Sequence, residues 1–209
     1  AAVRAHVGGT RAEEVRGAAR DAAVAEARGY LALARALLAP ARPRLVALGG
    51  LSGSGKTTVA EAAAPRIGAP PGARVLESDR TRKALWGAAP EERLPQAAYA
   101  EAVSDAVYAS IAARAEAILK GGGAVLAEAV YVRADRRAGI EAAAARAGAP
   151  FAGWWLEASP DLLCARVAAR RGGASDATVA VLESQLARDP GPMAWRALDA
   201  AQPAEALAE

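Results

Sequence analysis

Gly50-Leu51-Ser52-Gly53-Ser54-Gly55-Lys56-Thr57 sets glycines, a lysine and a hydroxyl at a spacing suited to phosphate chemistry. The run satisfies G-x-x-x-x-G-K-[ST], a P-loop pattern. Glycines let the main chain turn tightly and aim successive N–H groups at an anion. A helix starting directly afterwards adds unsatisfied N–H groups and the positive end of its dipole. In this arrangement Lys56 reaches the β- and γ-phosphates of a nucleotide, and the Thr57 hydroxyl takes one position on Mg²⁺. Gly50, Ser52, Gly53, Ser54, Gly55 and Thr58 complete the expected nucleotide-binding loop. Of 26 basic residues only Lys56, Lys83 and Lys120 are lysines, so lysine stands in the loop where a compact point charge is needed.

Three further groups of residues could carry chemistry. Ser78-Asp79-Arg80-Thr81-Arg82-Lys83 follows a second apolar run, and a carboxylate there could accept a proton from a hydroxyl. The structural alternative is that Ser78 or Asp79 caps the next helix. Glu128 ends a third apolar run, where an acid holds the Mg²⁺ shell through water; the alternative is a solvated carboxylate. Tyr131 and Arg133 follow it, and Arg133 is an acceptor-site candidate. Arg166, Arg170 and Arg171 precede a Gly-Gly pair, with Arg166 and Arg170 four apart on one helix face. They either close over phosphates or form a solvated face. Cys164, near Leu163 and Val167, reads as a small core residue, and His6 has no assigned role.

The elements that would position these residues alternate from residue 44 onward. The sequence predicts strands at 44–49, 74–77, 124–128, 151–157 and 195–199. Helices are predicted after residue 57 and over 79–86, 97–120, 134–147, 160–170 and 177–188. Lys120 followed by Gly121 is a stop signal, and Ser159-Pro160-Asp161 is a start signal. Alternating βα units imply an α/β fold: a three-layer αβα sandwich around a mostly parallel five-stranded sheet. Residues 1–40 form a separate N-terminal helical segment, and 41–209 the P-loop domain with a lid near 166–178. Thr10-Arg11-Ala12-Glu13 reads as a capping box starting the N-terminal helix. Val24, Ala27, Leu31, Ala34 and Leu38 form its apolar stripe, and Pro40 and Pro43 end it. The segment is either a brace for the P-loop domain or the tail of an upstream one. The start at Ala1, without methionine, points to a piece of a longer chain.

Composition narrows the function classes. The chain of 209 residues suits one domain with an extra element. Its net charge of +3 is compatible with an anionic ligand, but no dense basic run with interleaved aromatics argues for nucleic acid. No apolar stretch approaches a membrane span and no signal peptide is visible. A single cysteine excludes an internal disulfide and fits a reducing, cytoplasmic setting.

The narrower pattern G-x-x-G-x-G-K-T through Gly53 resembles the P-loop kinases of small molecules and nucleotides over about residues 44–200. That superfamily includes gluconate kinases, polynucleotide 5′-kinases and zeta-toxin-type kinases. By this resemblance to the Asp-x-x-Arg of polynucleotide-kinase-like enzymes, Asp79 is the base for the acceptor hydroxyl. Arg82 positions the acceptor or the transferring phosphoryl. Related enzymes usually carry Asp where Glu128 stands, so its longer side chain could displace the metal or contact substrate. The lid arginines would come onto the phosphates. Arg170-Arg171-Gly172 and Leu182-Glu183-Ser184-Gln185-Leu186 resemble the gluconate-kinase lid region, but the gluconate-kinase acceptor motif is not reproduced. Leu-Gly-Gly-Leu-Ser-Gly-Ser-Gly-Lys-Thr, Ser-Asp-x-x-Arg-Lys-x-Leu-Trp-Gly and Ala-Ser-Asp-Ala together resemble bacterial AAA-type, kinase-like ATP-binding domains. These are often fused behind an aminoglycoside-phosphotransferase-like half. The resemblance implies an ATP- and Mg²⁺-dependent phosphotransferase acting on a small-molecule hydroxyl, with 86–97 and 129–135 as its specificity loops. The alternatives are an ATP-binding switch or ATPase module regulating a fused partner, and a polynucleotide 5′-kinase.

Overall fold

A computed structural model of the chain describes residues 1–38, 42–170, 172 and 174–208. Pro40, Arg171 and Gly173, which the sequence reading used, lie outside the described residues. The chain divides into two compact units, 1–41 and 42–209.

The first unit is a pair of helices, α1 (Ala2–Glu14) and α2 (Ala18–Leu38), packed on each other. This corrects the expected start at Thr10. Thr10 lies inside α1, where its hydroxyl donates to the His6 carbonyl at 3.3 Å instead of capping a helix. Packing on α2 carries the helix through Gly8, Gly9 and Thr10 despite their poor propensity, and the break comes later, at the extended Val15. Small residues let the two helices approach closely: a Cβ on Gly8 would lie 3.1 Å from that of Ala27.

The second unit alternates strands and helices as expected. β1 (Arg44–Gly50) leads through the loop to α3 (Lys56–Ala63), and β2 (Arg74–Glu77) leads directly into α4 (Ser78–Leu85). Next come α5 (Glu101–Lys120), β3 (Ala124–Glu128), α6 (Ala134–Arg146) and β4 (Phe151–Glu157). The chain continues through α7 (Pro160–Ala169), α8 (Val179–Leu186), β5 (Arg196–Asp199) and a final turn, α9 (Ala204–Leu207). The sheet has five strands in the order β2-β3-β1-β4-β5, all paired in parallel. The expected helix over 97–120 is instead a 3₁₀ turn at Gln96–Tyr99 followed by α5, with a break at Ala100. Ser159 caps α7 by accepting from the Leu162 amide, and Thr178 caps α8 by accepting from the Val181 amide.

Strand periodicity builds the three layers. Leu45 and Ala47 of β1 face a core with Val107, Ile111 and Ile140 of α5 and α6. Val46 and Leu48 face the opposite core, with Val59, Ala60 and Ala63 of α3. With few aromatics available, glycine makes room for the large ones: a Cβ on Gly153 would lie 2.3 Å from the Trp195 ring. The sheet's carboxyl edge therefore carries the loop after β1, α4 after β2, and Glu128 at the end of β3, where ligands of open α/β sheets gather.

Candidate functional site

The loop after β1 is held from two directions. Gly53 has φ +85°, and a Cβ there would lie 2.6 Å from the Leu163 carbonyl oxygen, so only glycine fits beneath α7. Gly55 caps α3, so the first helical residue is Lys56. From the other side, Gln185 of α8 reaches the loop with both ends of its amide. Its Oε1 accepts from the Ser52 amide at 2.9 Å, and its Nε2 donates to the Ser52 hydroxyl at 3.1 Å. The Ser54 hydroxyl is buried without a partner. Lys56 folds back over the loop and donates to the Leu51 carbonyl at 3.0 Å. Burial lowers its pKa, opposed by the charges of Glu128 and Asp79.

Three acids end β2, open α4 and end β3. Glu77 and Glu128 are register partners. Glu128 is 7 % exposed; its Oε1 accepts from the Thr57 hydroxyl at 3.1 Å and its Oε2 has no partner. Burial pushes its pKa up to about 7; Lys56 and the Thr57 hydrogen bond counter this, while Glu77 and Asp79 reinforce it. Asp79 lies in the first turn of α4, but no side chain caps that helix. Among the described residues its carboxylate has neither an ion pair nor a hydrogen bond. Its charge acts on Lys56 and Glu128 on one side and on Arg82 and Tyr99 on the other. Asp79 thus stands between the phosphate loop and the second half of the cleft.

That second half is built on α4, α5 and the start of α6. Arg82 is buried, donating to the Ala98 carbonyl at 2.6 Å and the Ser104 hydroxyl at 3.2 Å, with its guanidinium over the Tyr99 ring. Arg136 lies over Tyr108 at 4.4 Å and pairs with Asp105 at 2.9 Å. Behind them sits a knot the sequence reading did not find. Asp176 accepts from Lys83 at 3.4 Å, from the Leu94 amide at 3.1 Å and from the Tyr99 hydroxyl at 2.5 Å. Lys83, only 2 % exposed, also donates to the Pro90 carbonyl at 2.7 Å. One carboxylate thereby ties the segment after α7 to the 86–97 loop. The Ala-Ser-Asp-Ala and Arg-Lys motifs contain both partners, but nothing local in the sequence pairs them.

Other expected residues fall elsewhere. Arg166 lines the cleft and donates to the Ala200 carbonyl at 3.0 Å, and Arg170 lines it at the end of α7. Arg133 does not line it: its guanidinium pairs with Asp135 at 2.6 Å and with Glu101. Arg136, one helical turn on, takes that place. Between β3 and α6, Tyr131 has φ +46°, unusual for a residue with a Cβ. Surrounding groups fix it there: Arg137 donates to the carbonyls of Tyr131 and Val132, and the Tyr131 amide donates to the Tyr108 hydroxyl. Arg137 also donates to the Pro190 and Pro192 carbonyls, so it ties the start of α6 to the segment before β5. Gln185, Arg136, Asp176 and the tyrosines are the site residues that sequence reasoning missed; Gln185 lay within a noticed stretch without an assigned role.

All of this opens onto one cavity of about 1300 Å³, lined by Lys56, Thr57, Asp79, Glu128, Arg136 and Arg170 among others. A site for one drug-sized ligand occupies roughly 300–1,000 Å³, so this cleft is larger than one such ligand needs. Residues 45–192 match the model of the AAA_33 family, described as an AAA domain. The chain belongs to this family. This AAA domain is 30% identical over 187 residues to the protein Rv2004c of Mycobacterium tuberculosis. The match takes in 88% of this chain and 37% of that protein, so the chain spans little more than a third of its relative. In fold it is similar to a gluconokinase from Sinorhizobium meliloti 1021 (TM-score 0.55, 24% identity, 80% of this chain and 88% of that one). It is also similar to a sugar kinase from Janibacter sp. HTCC2649 (TM-score 0.59, 23% identity, 79% and 90%). A third similar structure is the Mycobacterium tuberculosis APS kinase CysC in complex with AMPPNP and APS (TM-score 0.53, 20% identity, 80% and 94%). The fold is that of P-loop small-molecule kinases. Among the described residues no helix is long and apolar enough to cross a membrane.

Proposed function

We propose that this chain is an ATP- and Mg²⁺-dependent phosphotransferase that moves the γ-phosphoryl group of ATP to a hydroxyl of a small molecule. The observation that carries the reading is the position of Asp79. Its carboxylate, without an ion pair or hydrogen bond among the described residues, lines one cavity together with Lys56 and Glu128 and with Arg82 and Tyr99. The kinase folds similar to it, one of them solved with AMPPNP and APS, support nucleotide use.

The roles follow from the chemistry each group offers. Amides of Gly53 to Thr58 and the ammonium of Lys56 hold the β- and γ-phosphates. Thr57 and Glu128 fit the protein's share of a Mg²⁺ shell, because they already touch and Glu128 keeps a free buried oxygen. The metal would neutralise charge on the phosphates. Arg166 and Arg170 line the cleft on the lid side, placed to neutralise charge on the transferring group, and 166–178 is proposed as the lid. Asp79 takes the acceptor hydroxyl's proton as its oxygen bonds to the γ-phosphorus. The bond from that phosphorus to the bridging oxygen breaks, and ADP leaves. This reading places the protein in the cytoplasm, where ATP is held.

The test is ADP release with ATP and Mg²⁺, alone and with pooled sugars, sugar acids, sugar phosphates, nucleosides and aminoglycosides. The reading expects release that depends on an acceptor. It also expects Asp79→Ala to lower kcat by about 10²- to 10⁴-fold, the usual range for losing a general base, with little change in nucleotide binding. Slow hydrolysis indifferent to every acceptor would replace the kinase reading with an ATP-binding switch, and unaltered turnover in Asp79→Ala would remove the base assignment.

A further inference from the structure

The kinase reading leaves the acceptor unnamed, and the far half of the cleft bears on its chemistry. Two guanidinium groups project there, from α4 and from the first turn of α6. Arg82 is 7 % exposed, and the Arg136 side chain is 12 % exposed. Each has a buried Nε without an acceptor among the described residues. Arg82 spends its two Nη groups on Ala98 and Ser104, and Arg136 gives Nη2 to Asp105. The Arg136 guanidinium also meets the Tyr108 side chain, lying over its ring at 4.4 Å. Burial lowers the pKa of Arg82, and the nearby charge of Arg136 adds to this in a smaller way.

The negative groups facing this pair do not cancel it. Asp105 is half exposed, so its pairing with Arg136 is screened by solvent. Asp176 is saturated by Lys83, the Leu94 amide and the Tyr99 hydroxyl. Asp79 also acts on Arg82, and in the kinase reading its carboxylate serves the reacting hydroxyl. Arg93, on the loop before Tyr99, adds a third positive charge to the lining. The rings of Tyr99 and Tyr108, with Val130 and Val132, wall this end with low-polarity surface, which strengthens charge interactions inside it. Holding like charges together in such a place costs free energy that an anionic ligand would offset. Arginine's planar fork also matches the two oxygens of an oxyanion better than a neutral hydroxyl.

Building on the kinase reading, we infer that the acceptor is a small alcohol that also carries an oxyanion (carboxylate or phosphate), and that Arg136, backed by Arg82, selects it by that group. Arg136 is a specificity-determining residue here: it holds the anion while Asp79 addresses the hydroxyl.

Two measurements test this. In the first, ADP release is compared between neutral alcohols (glucose, ribose, glycerol, adenosine) and their anionic counterparts. The carboxylate arm is gluconate and glycerate, and the phosphate arm is glycerol phosphate and ribose phosphate. The inference expects turnover confined to one anionic arm, which names the oxyanion. Arg136→Gln should raise the acceptor KM at least about tenfold without moving the ATP KM, and Arg136→Lys should recover part of the loss. Better kcat/KM with neutral alcohols, or with a single-stranded oligonucleotide ending in a free hydroxyl, overturns it. In the second, inorganic sulfate is titrated by calorimetry into protein saturated with Mg²⁺ and AMPPNP, so that the phosphate loop is already filled. The inference expects binding that weakens at least about tenfold in Arg136→Gln. Equal sulfate binding by the two proteins, or none by the parent, overturns it. If sulfate binding behaves as expected while no compound is turned over, the kinase reading fails and the anion site stands.

Discussion

Buried against Thr57 with one oxygen unpartnered, Glu128 holds its proton to about pH 7, above the ordinary glutamate value of 4.5. Between those values the folded chain carries a proton that the unfolded chain has lost. The stability this group contributes is therefore full below pH 4.5 and falls as pH rises through 7. Glu128→Gln keeps an oxygen for Thr57 and removes the ionisation. In urea unfolding without nucleotide, the variant should gain about 2 kcal/mol on the parent between about pH 5 and about pH 8. Parallel stability curves for the two proteins would show that Glu128 titrates normally. At this scale one motif marks the place of Lys56 and Thr57, and they open α3. The sequence misled at Arg133, whose neighbour Asp135 claims its guanidinium, and was silent on Arg136, whose partners Tyr108 and Asp105 lie far away along the chain.

Among the elements, the least expected device is the link from the segment before α8 to the loop after α4. Lys83 is buried and Asp176 is its ion-pair partner, so removing the carboxylate strands a charge. Asp176→Ala should cost about 3 kcal/mol of stability in denaturant unfolding. It should also speed hydrogen exchange at the Leu94 amide, whose acceptor is lost. A Leu94 amide as protected in the variant as in the parent would dissolve the link. Strands and capped helices were legible because their signals are local: the continuous apolar run of β1, Ser159 ahead of α7, Gly121 after α5. The starts of α1 and α5 were not. In the alanine-rich stretch at 97–102 helix propensity hardly changes from residue to residue, so the break at Ala100 leaves no sharp mark, and the continuation of α1 through Thr10 depends on its packing against α2.

At the scale of the whole molecule, strands alternating with helices foretold a parallel sheet covered on both faces, and the sheet has that form. The number of strands and the carboxyl-edge position of the site were legible for the same reason. The depth of the cleft was not, since it depends on α4, α5, α6 and α8 converging from distant parts of the chain. Every residue assigned a role belongs to the unit 42–209. The account rests on that cleft admitting a nucleotide tail against Lys56. The direct test is titration calorimetry of Mg²⁺ and AMPPNP into the full chain and into Lys56→Met. One binding site in the parent, weakened at least about a hundredfold in the variant, is the expected result. No heat of binding in the parent, or equal affinity in the two proteins, would contradict it.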